Sequence, residues 1–431
     1  MQLPFLFWLL TSVPPPDVPP SSAWLNLLPD GVEKREFVLD CTGCHQLAGR
    51  FAWAGDRART EAEWQASIEK MLSFAGASAG FPVISADRQA APTAAWLATN
   101  LKTSPTAPTP AAPVGRAVIR EYPLPAAGDL PHDLGVDPAS GQVLITGMFT
   151  HRLWILDPAS GVVAADSIPL AQANPRALEP GRDGRWWVAL GGPQRVASYD
   201  PRTKQWASYP IGMYPHSIGV DSGGRIWFNG HFTRDPELIG RVDPATGATK
   251  TYQVPKHPRT EGAWGPLPYE LRVAPNGHVW LGELQGNRIV ELDPATERFT
   301  VHDLPTPASG PRRFDFDRAG TLWIPAYAAS LLVRFEPATG RFTEYRLPIA
   351  DALPYVARVD HATGLVWIAT AAADVVFSFD PRTARFVTYP LPSRGALVRH
   401  MVVDGARRAI WLAYGASPGE IPARVARLEP R

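Results

Sequence analysis

The two cysteines of this 431-residue chain stand three positions apart, in Cys41-Thr42-Gly43-Cys44-His45. This spacing is the pattern for covalent attachment of a c-type haem. Two thiols one helical turn apart bond to the two vinyl-derived carbons on one porphyrin edge. His45, next in line, then offers its imidazole as the proximal iron ligand. A structural zinc site needs about four ligands, and the chain has no further cysteine. A thioredoxin-like redox pair needs a βαβ setting, which the flanking sequence lacks. Met71 lies 26 residues after His45 and is the expected sixth ligand, a soft thioether that favours ferrous iron and raises its potential. The competing reading of Met71 is a core methionine filling a gap.

A second set of polar residues recurs along the rest of the chain, each opening a short strand: His132, Arg176, His216, Tyr269, Arg312, Tyr355 and either Arg399 or His400. His231, Glu283 and Tyr414 stand near the ends of the strands that follow. On a closed ring of repeats these imidazoles, guanidiniums, phenols and the carboxylate converge on one channel mouth, a candidate ligand site. The bland alternative is a channel lined by polar side chains that water solvates.

The elements that must position these residues fall into two units. Residues 1–29 read as an export-signal-like or disordered N-terminus, with an apolar run from Leu3 to Val13 and then Pro14-Pro15-Pro16. That run is too short to span a bilayer, and it lacks the basic residues that precede a secretory signal. Residues 30–101 read as a small all-α domain. Thr60 and Glu63 form a capping box, and Trp64, Ile68 and Met71 share one face of the helix it opens. A last helix covers roughly Thr93 to Leu101. Residues 102–116, rich in Pro, Ala and Thr, read as an extended linker.

Residues 117–431 are repetitive. An Asp-Pro or Glu-Pro pair recurs at 157, 200, 243, 293, 336, 380 and 429, at intervals of 43 to 50 residues, and six of the seven units carry a tryptophan upstream of it (Trp187, Trp227, Trp280, Trp323, Trp367, Trp411). About four short strands per unit at this period predict an all-β seven-bladed propeller. The seventh unit stops short of an outer strand, and 117–125 (AVIREYPLP) is an orphan strand that completes the last blade and covers both edges.

Residues 34–101, with CTGCH, RTEAEWQASIEKM and a closing AAWLATNL helix, resemble a class-I-type mini-cytochrome c. That resemblance implies electron transfer, with Met71 as axial ligand. The motifs PHDLGVD, PHSIGVDSGGRIWF, NRIVELDPAT and LIGRVDPATG are similar to the streptogramin B lyase (virginiamycin B lyase) family, over most of 117–431. This resemblance implies a seven-bladed propeller with a site at the channel mouth. It further implies opening of a cyclic depsipeptide by a histidine base and a magnesium ion held by two glutamates, one of them two residues before the histidine. His400 is the positional match for that base. Val398, which offers no oxygen, stands two residues earlier and Tyr414 fourteen later, so the two glutamates that the resemblance implies for Mg2+ are not found and the sequence does not support that ion.

The 42 basic and 41 acidic residues nearly cancel, which speaks against a nucleic-acid partner. Attachment of haem to CxxCH takes place outside the bacterial cytoplasm, so the expected location is the periplasm. The sequence-based expectation is an exported monomer without a transmembrane helix: one haem c for electron transfer, and a propeller that binds a small-molecule substrate or a periplasmic redox partner. Two alternatives stay open. One is a C–O lyase, and the other is a redox enzyme whose propeller-bound substrate reduces the haem.

Overall fold

A computed structural model describes residues 19–106, 113–415 and 422–431; the apolar run at 3–13 lies outside the described residues. The propeller is a ring of seven four-stranded antiparallel sheets. In six blades the Asp or Glu of the acidic-Pro pair ends or directly follows the third strand and starts the turn to the fourth; in the seventh, Glu429 lies within the third strand. The carboxylates of Asp157, Asp243 and Asp293 accept the backbone N–H two residues on, at 2.9 Å in each case, which is the Asx-turn chemistry of this side chain. The tryptophans of the second strands are buried between neighbouring blades. Gly135 makes room for one: a Cβ there would sit 2.2 Å from the Trp186 ring.

Ring closure is as the repeat pattern predicts. The last blade runs Val398–Asp404, Ala409–Tyr414, Arg424–Pro430 and then Ala117–Pro123, with Ile119 paired to Leu428 and Pro123 to Arg424.

Inner strands share a device that the sequence pattern only half revealed. Six of them change register just after their first residue, between Pro131 and Leu134 or between Val398 and His400, for example. A bulge of this kind bends the strand and re-aims a side chain. Here it turns His132, Arg176, His216, Tyr269, Tyr355 and Arg399 toward the channel mouth.

Among the described residues ahead of the propeller lie five helices: α1 (Ser21–Leu25), α2 (Val32–Cys41), α3 (Gly49–Ala52), α4 (Glu61–Ala75) and α5 (Ala90–Asn100). The capping box forms as expected, with Glu63 N–H donating to Thr60 Oγ1 and Thr60 N–H donating to the Glu63 carboxylate. Three features differ from the sequence reading. Residues 21–28 are ordered, because Trp24, Leu25 and Leu28 are buried in a common core with Phe37, Trp64 and Leu97. A two-residue strand pair, Trp53–Ala54 with Arg57–Ala58, interrupts the helices. The end of the linker is not free: Gly115 N–H donates to Thr388 O and Thr388 N–H to Pro113 O, both at 2.8 Å, on the outer edge of the sixth blade.

The helical unit is docked on the propeller. Its core is continuous with Leu267, Tyr269, Leu284, Tyr327 and Tyr355 of the channel rim. Buried Lys34 pairs with Asp351 at 2.6 Å, Arg259 pairs with Asp87 at 2.9 Å, and Arg35 donates to Pro307 O at 2.7 Å. Leu39 fills the notch over Gly310, where a Cβ would lie 2.3 Å from its Cδ2. Among the described residues no helix is long and apolar enough to cross a membrane.

Candidate functional site

The docked helical unit closes a cavity of about 310 Å3 over the channel mouth. Its floor is the ring of inner-strand residues read from the sequence: His132, Arg176, His216, Tyr269, Arg312, Tyr355 and Arg399, joined by His231. Its roof is supplied by Leu39, Asp40, Gly43, Cys44, Phe81 and Val83 of the helical unit. The CxxCH peptide is therefore a wall of the propeller cavity.

Side chains from the floor hold that peptide. Arg399 donates to Gly43 O at 2.9 Å and to Cys44 O at 2.8 Å. The Tyr327 hydroxyl donates to Thr42 O at 3.0 Å and meets Thr42 Oγ1 at 2.8 Å. Arg312 stacks on the rings of Tyr327 and Tyr355, 3.9 and 4.2 Å from their centroids, and donates to the Tyr269 hydroxyl at 2.9 Å. The hydroxyls of Tyr269 and Tyr355 share a short hydrogen bond. Burial raises both phenols, but the Arg312, Arg399 and Arg313 guanidiniums more than offset it at Tyr355, which falls below the ordinary tyrosine value.

The three cavity histidines are held alike. His216 Nδ1 lies 2.8 Å from Tyr269 O, His231 Nδ1 2.7 Å from Pro268 O, and His132 Nδ1 2.7 Å from Asp133 Oδ1. A carbonyl or carboxylate at Nδ1 fixes the proton there and leaves Nε2 a lone pair. His216 stacks on His231 at 4.4 Å, and His132 meets His216 edge-on at 5.1 Å. Burial, followed by the Arg176 and Asp133 charges acting in opposite senses, lowers His132 to about 3. Burial and Arg176 lower His231 to about 3, and burial with the neighbouring His231 and His132 lowers His216 well below the usual value. All three are neutral bases at pH 7.

His400, Glu283 and Tyr414 are not brought to this cavity. His400 sits one residue deeper than Arg399, in a buried charge layer: its Nδ1 accepts Leu134 N–H at 3.2 Å, and its Nε2 faces Arg358 at 3.3 Å and Asp133 at 3.5 Å. Arg313 anchors that layer with a two-pronged bond to Asp133, at 2.7 and 3.0 Å. Glu283 accepts from Arg288 at 2.6 Å and is fully buried. Tyr414 donates to Glu121 of the closing strand. Arg313, Tyr327 and Phe81 escaped the sequence reading; Arg313 follows Arg312 directly, so its position beside a channel-facing residue was the available signal.

The side-chain types around CxxCH are those that hold a covalently attached haem. α2 ends at Cys41; Cys41 is half-buried and Cys44 exposed, and both thiols are free. Burial, followed by the Asp40 charge, pushes the Cys41 thiol up to about 12, so it is a neutral thiol. His45 Nδ1 lies 3.3 Å from Gln46 O, and its ring stacks on Phe51. This leaves Nε2 without a hydrogen-bond partner among the described residues, as an iron ligand requires. On α4, Met71 is half-buried outside the core that takes Trp64 and Ile68, and Phe74, one turn further on, is 62% exposed. Two thiols, an imidazole, a thioether and an uncovered apolar stripe are what a porphyrin would engage. Among the described residues no group of three or more His, Cys, Asp or Glu gathers to hold a metal ion.

The virginiamycin B lyase family model matches residues 259–421. No curated protein matches the chain. Among solved structures, virginiamycin B lyase from Staphylococcus aureus is 20% identical with a TM-score of 0.63, covering 73% of this chain and 99% of the lyase. A catalytically inactive variant of that lyase, solved with quinupristin, matches equally well. Hydrazine synthase of Kuenenia stuttgartiensis is 14% identical with a TM-score of 0.55, covering 70% of this chain and 96% of that one. At these identities the likeness is one of fold.

Proposed function

We propose that this protein is a virginiamycin B lyase-like seven-bladed propeller fused to a mini-cytochrome c. In this reading Cys41 and Cys44 would hold a haem c and His45 and Met71 would ligate its iron; bound there, it would take one electron at a time from a small reductant at the channel mouth and pass each to an external redox partner. The observation that carries the reading is the position of the CxxCH peptide. Gly43 and Cys44 form the cavity wall and are held by Arg399. A ligand in the cavity would thus contact the segment that bears the attachment thiol. When bound, the haem supplies one-electron redox chemistry. The propeller residues supply the rest: neutral imidazoles whose Nε2 atoms can accept hydrogen bonds from the ligand, and the Arg176 guanidinium to orient it. Because CxxCH is matured outside the bacterial cytoplasm, this reading places the protein in the periplasm. The test is anaerobic titration of the haem-loaded chain with small reductants, followed in the Soret region. Saturable reduction that His216→Trp blocks by filling the cavity is the expected result. Reduction indifferent to that substitution would overturn it.

The family match over 259–421 favours a second reading, C–O lyase chemistry on a cyclic depsipeptide such as quinupristin. His400 is engaged on both ring nitrogens, so the base in this chain would be Nε2 of His216 or His231. Ring opening of quinupristin by the Cys41→Ser, Cys44→Ser double variant, tested with and without Mg2+, would establish this reading and remove the haem from it.

A further inference from the structure

The cavity holds more positive charge than its protein partners balance. Arg176, Arg312 and Arg399 line it, and among the described residues none of them has a carboxylate within ion-pair distance. Arg312 is spent on tyrosine rings and a phenol, and Arg399 on the two peptide carbonyls. The Asp40 carboxylate at the rim is already paired with Arg88 at 2.8 Å. Arg176 is different. It is 4% exposed, its Nε donates to the Tyr214 hydroxyl at 2.6 Å, and Phe81 packs on its face at 5.0 Å. Neither of its terminal nitrogens has a hydrogen-bond partner among the described residues, and Nη2 is fully buried. A buried guanidinium without an anion is costly unless a ligand completes it. The adjoining part of the lining is apolar, made by Leu130, Met148 and Phe149, the last of them 43% exposed.

We propose that the cavity binds a small organic monoanion, a carboxylate on an apolar body, with the carboxylate received by Arg176 and the body laid on Phe149 and Met148. This rests on the reading of the cavity as the substrate site and names the chemical class it selects. Nη1, which has no hydrogen-bond partner among the described residues and is not fully buried, can donate to one oxygen of a carboxylate in the cavity as a charge-assisted hydrogen bond. The neutral histidines add no competing cation, and their Nε2 lone pairs offer a carboxylate no donor.

The probe is benzoate, with benzamide as its neutral isostere, titrated by calorimetry into the full-length haem-loaded chain. One saturable benzoate site is expected, with benzamide at least tenfold weaker. Arg176→Gln should weaken benzoate at least tenfold and leave benzamide as it was. Equal binding of the two probes, no benzoate binding to the unaltered chain, or an unchanged benzoate affinity in Arg176→Gln would overturn the proposal. If Arg176→Gln does not fold, the benzoate-to-benzamide ratio of the unaltered chain decides, with Arg176→Lys as the second variant. Benzoate is not a reductant, so this result is separate from the haem titration. Benzoate binding without any reductant would retain the anion site and sink the redox reading. Haem reduction by a cavity-bound neutral compound that benzoate does not displace would do the reverse.

Discussion

Arg399, on an inner strand of the seventh blade, donates to the carbonyl oxygens of Gly43 and Cys44 at 2.9 and 2.8 Å. One buried side chain thus holds the CxxCH turn against the channel. Hydrogen bonds from a charged donor are worth about 1.5–3 kcal/mol each. Arg399→Gln should therefore cost about 2–4 kcal/mol and loosen the helical unit from the propeller. Limited proteolysis of the 102–116 linker would become faster in the variant. Unchanged cleavage would mean that docking does not depend on this contact.

The buried histidines set an acid limit on stability. His132, His216, His231 and His400 are all lowered in the folded protein, chiefly by burial. Their unfolded value is near 6.5, so the unfolded chain takes up protons that the folded one refuses. This stabilisation is fully present above about pH 6.5 and is lost as pH falls toward the folded values, by up to about 1.4 kcal/mol per pH unit for each histidine. Tm should fall steeply between pH 6.5 and 4.5. His231→Phe should flatten that slope, and an unaltered slope would show that His231 titrates normally.

On the cytochrome reading, Cys41→Ser with Cys44→Ser abolishes pigment that survives denaturation, while the β-rich circular dichroism of the propeller persists. Met71→Ala in the singly altered chain lowers the midpoint potential and removes the weak red band of the oxidised protein. Retention of both would assign the sixth ligand elsewhere.

The Tyr414 hydroxyl donates to Glu121 Oε1, and Arg424 meets Glu121 Oε2 at 2.8 Å, which ties the closing strand to its blade. Tyr414→Phe should cost about 1–2 kcal/mol, measured by urea unfolding. The site in the cavity would be untouched, so benzoate affinity should stay constant.

The ring and its mouth were legible because both are periodic. The Asp-Pro and Glu-Pro pairs count the blades, and the polar residues that open the short strands mark their inner ends. The choice between Arg399 and His400 was not legible: one residue of register separates the cavity floor from the buried charge layer, and only the bulge at Val398 decides it. Glu283 and Tyr414 have the chemistry of a site but face Arg288 and Glu121, partners remote in pattern if not in space. Docking of the helical unit left no trace in periodicity, since it depends on single contacts such as Leu39 over Gly310. α1 was hidden by its Pro-rich surroundings, although Trp24 is among the most buried residues of the helical unit.

Because Ala117–Pro123 pairs with Arg424–Pro430, the blade that completes the circle is built from the earliest and latest stretches of the propeller. A ribosome releasing this chain produces the first of these strands long before its mate exists. Throughout synthesis that strand is an unsatisfied edge, open to mispairing with another nascent copy. The helical unit emerges ahead of it, and the rim that holds the CxxCH turn needs Arg399 of the seventh blade. Assembly of the two halves therefore waits for that blade, and loss of the Arg424–Pro430 strand would open the circle and undo its grip on the CxxCH segment.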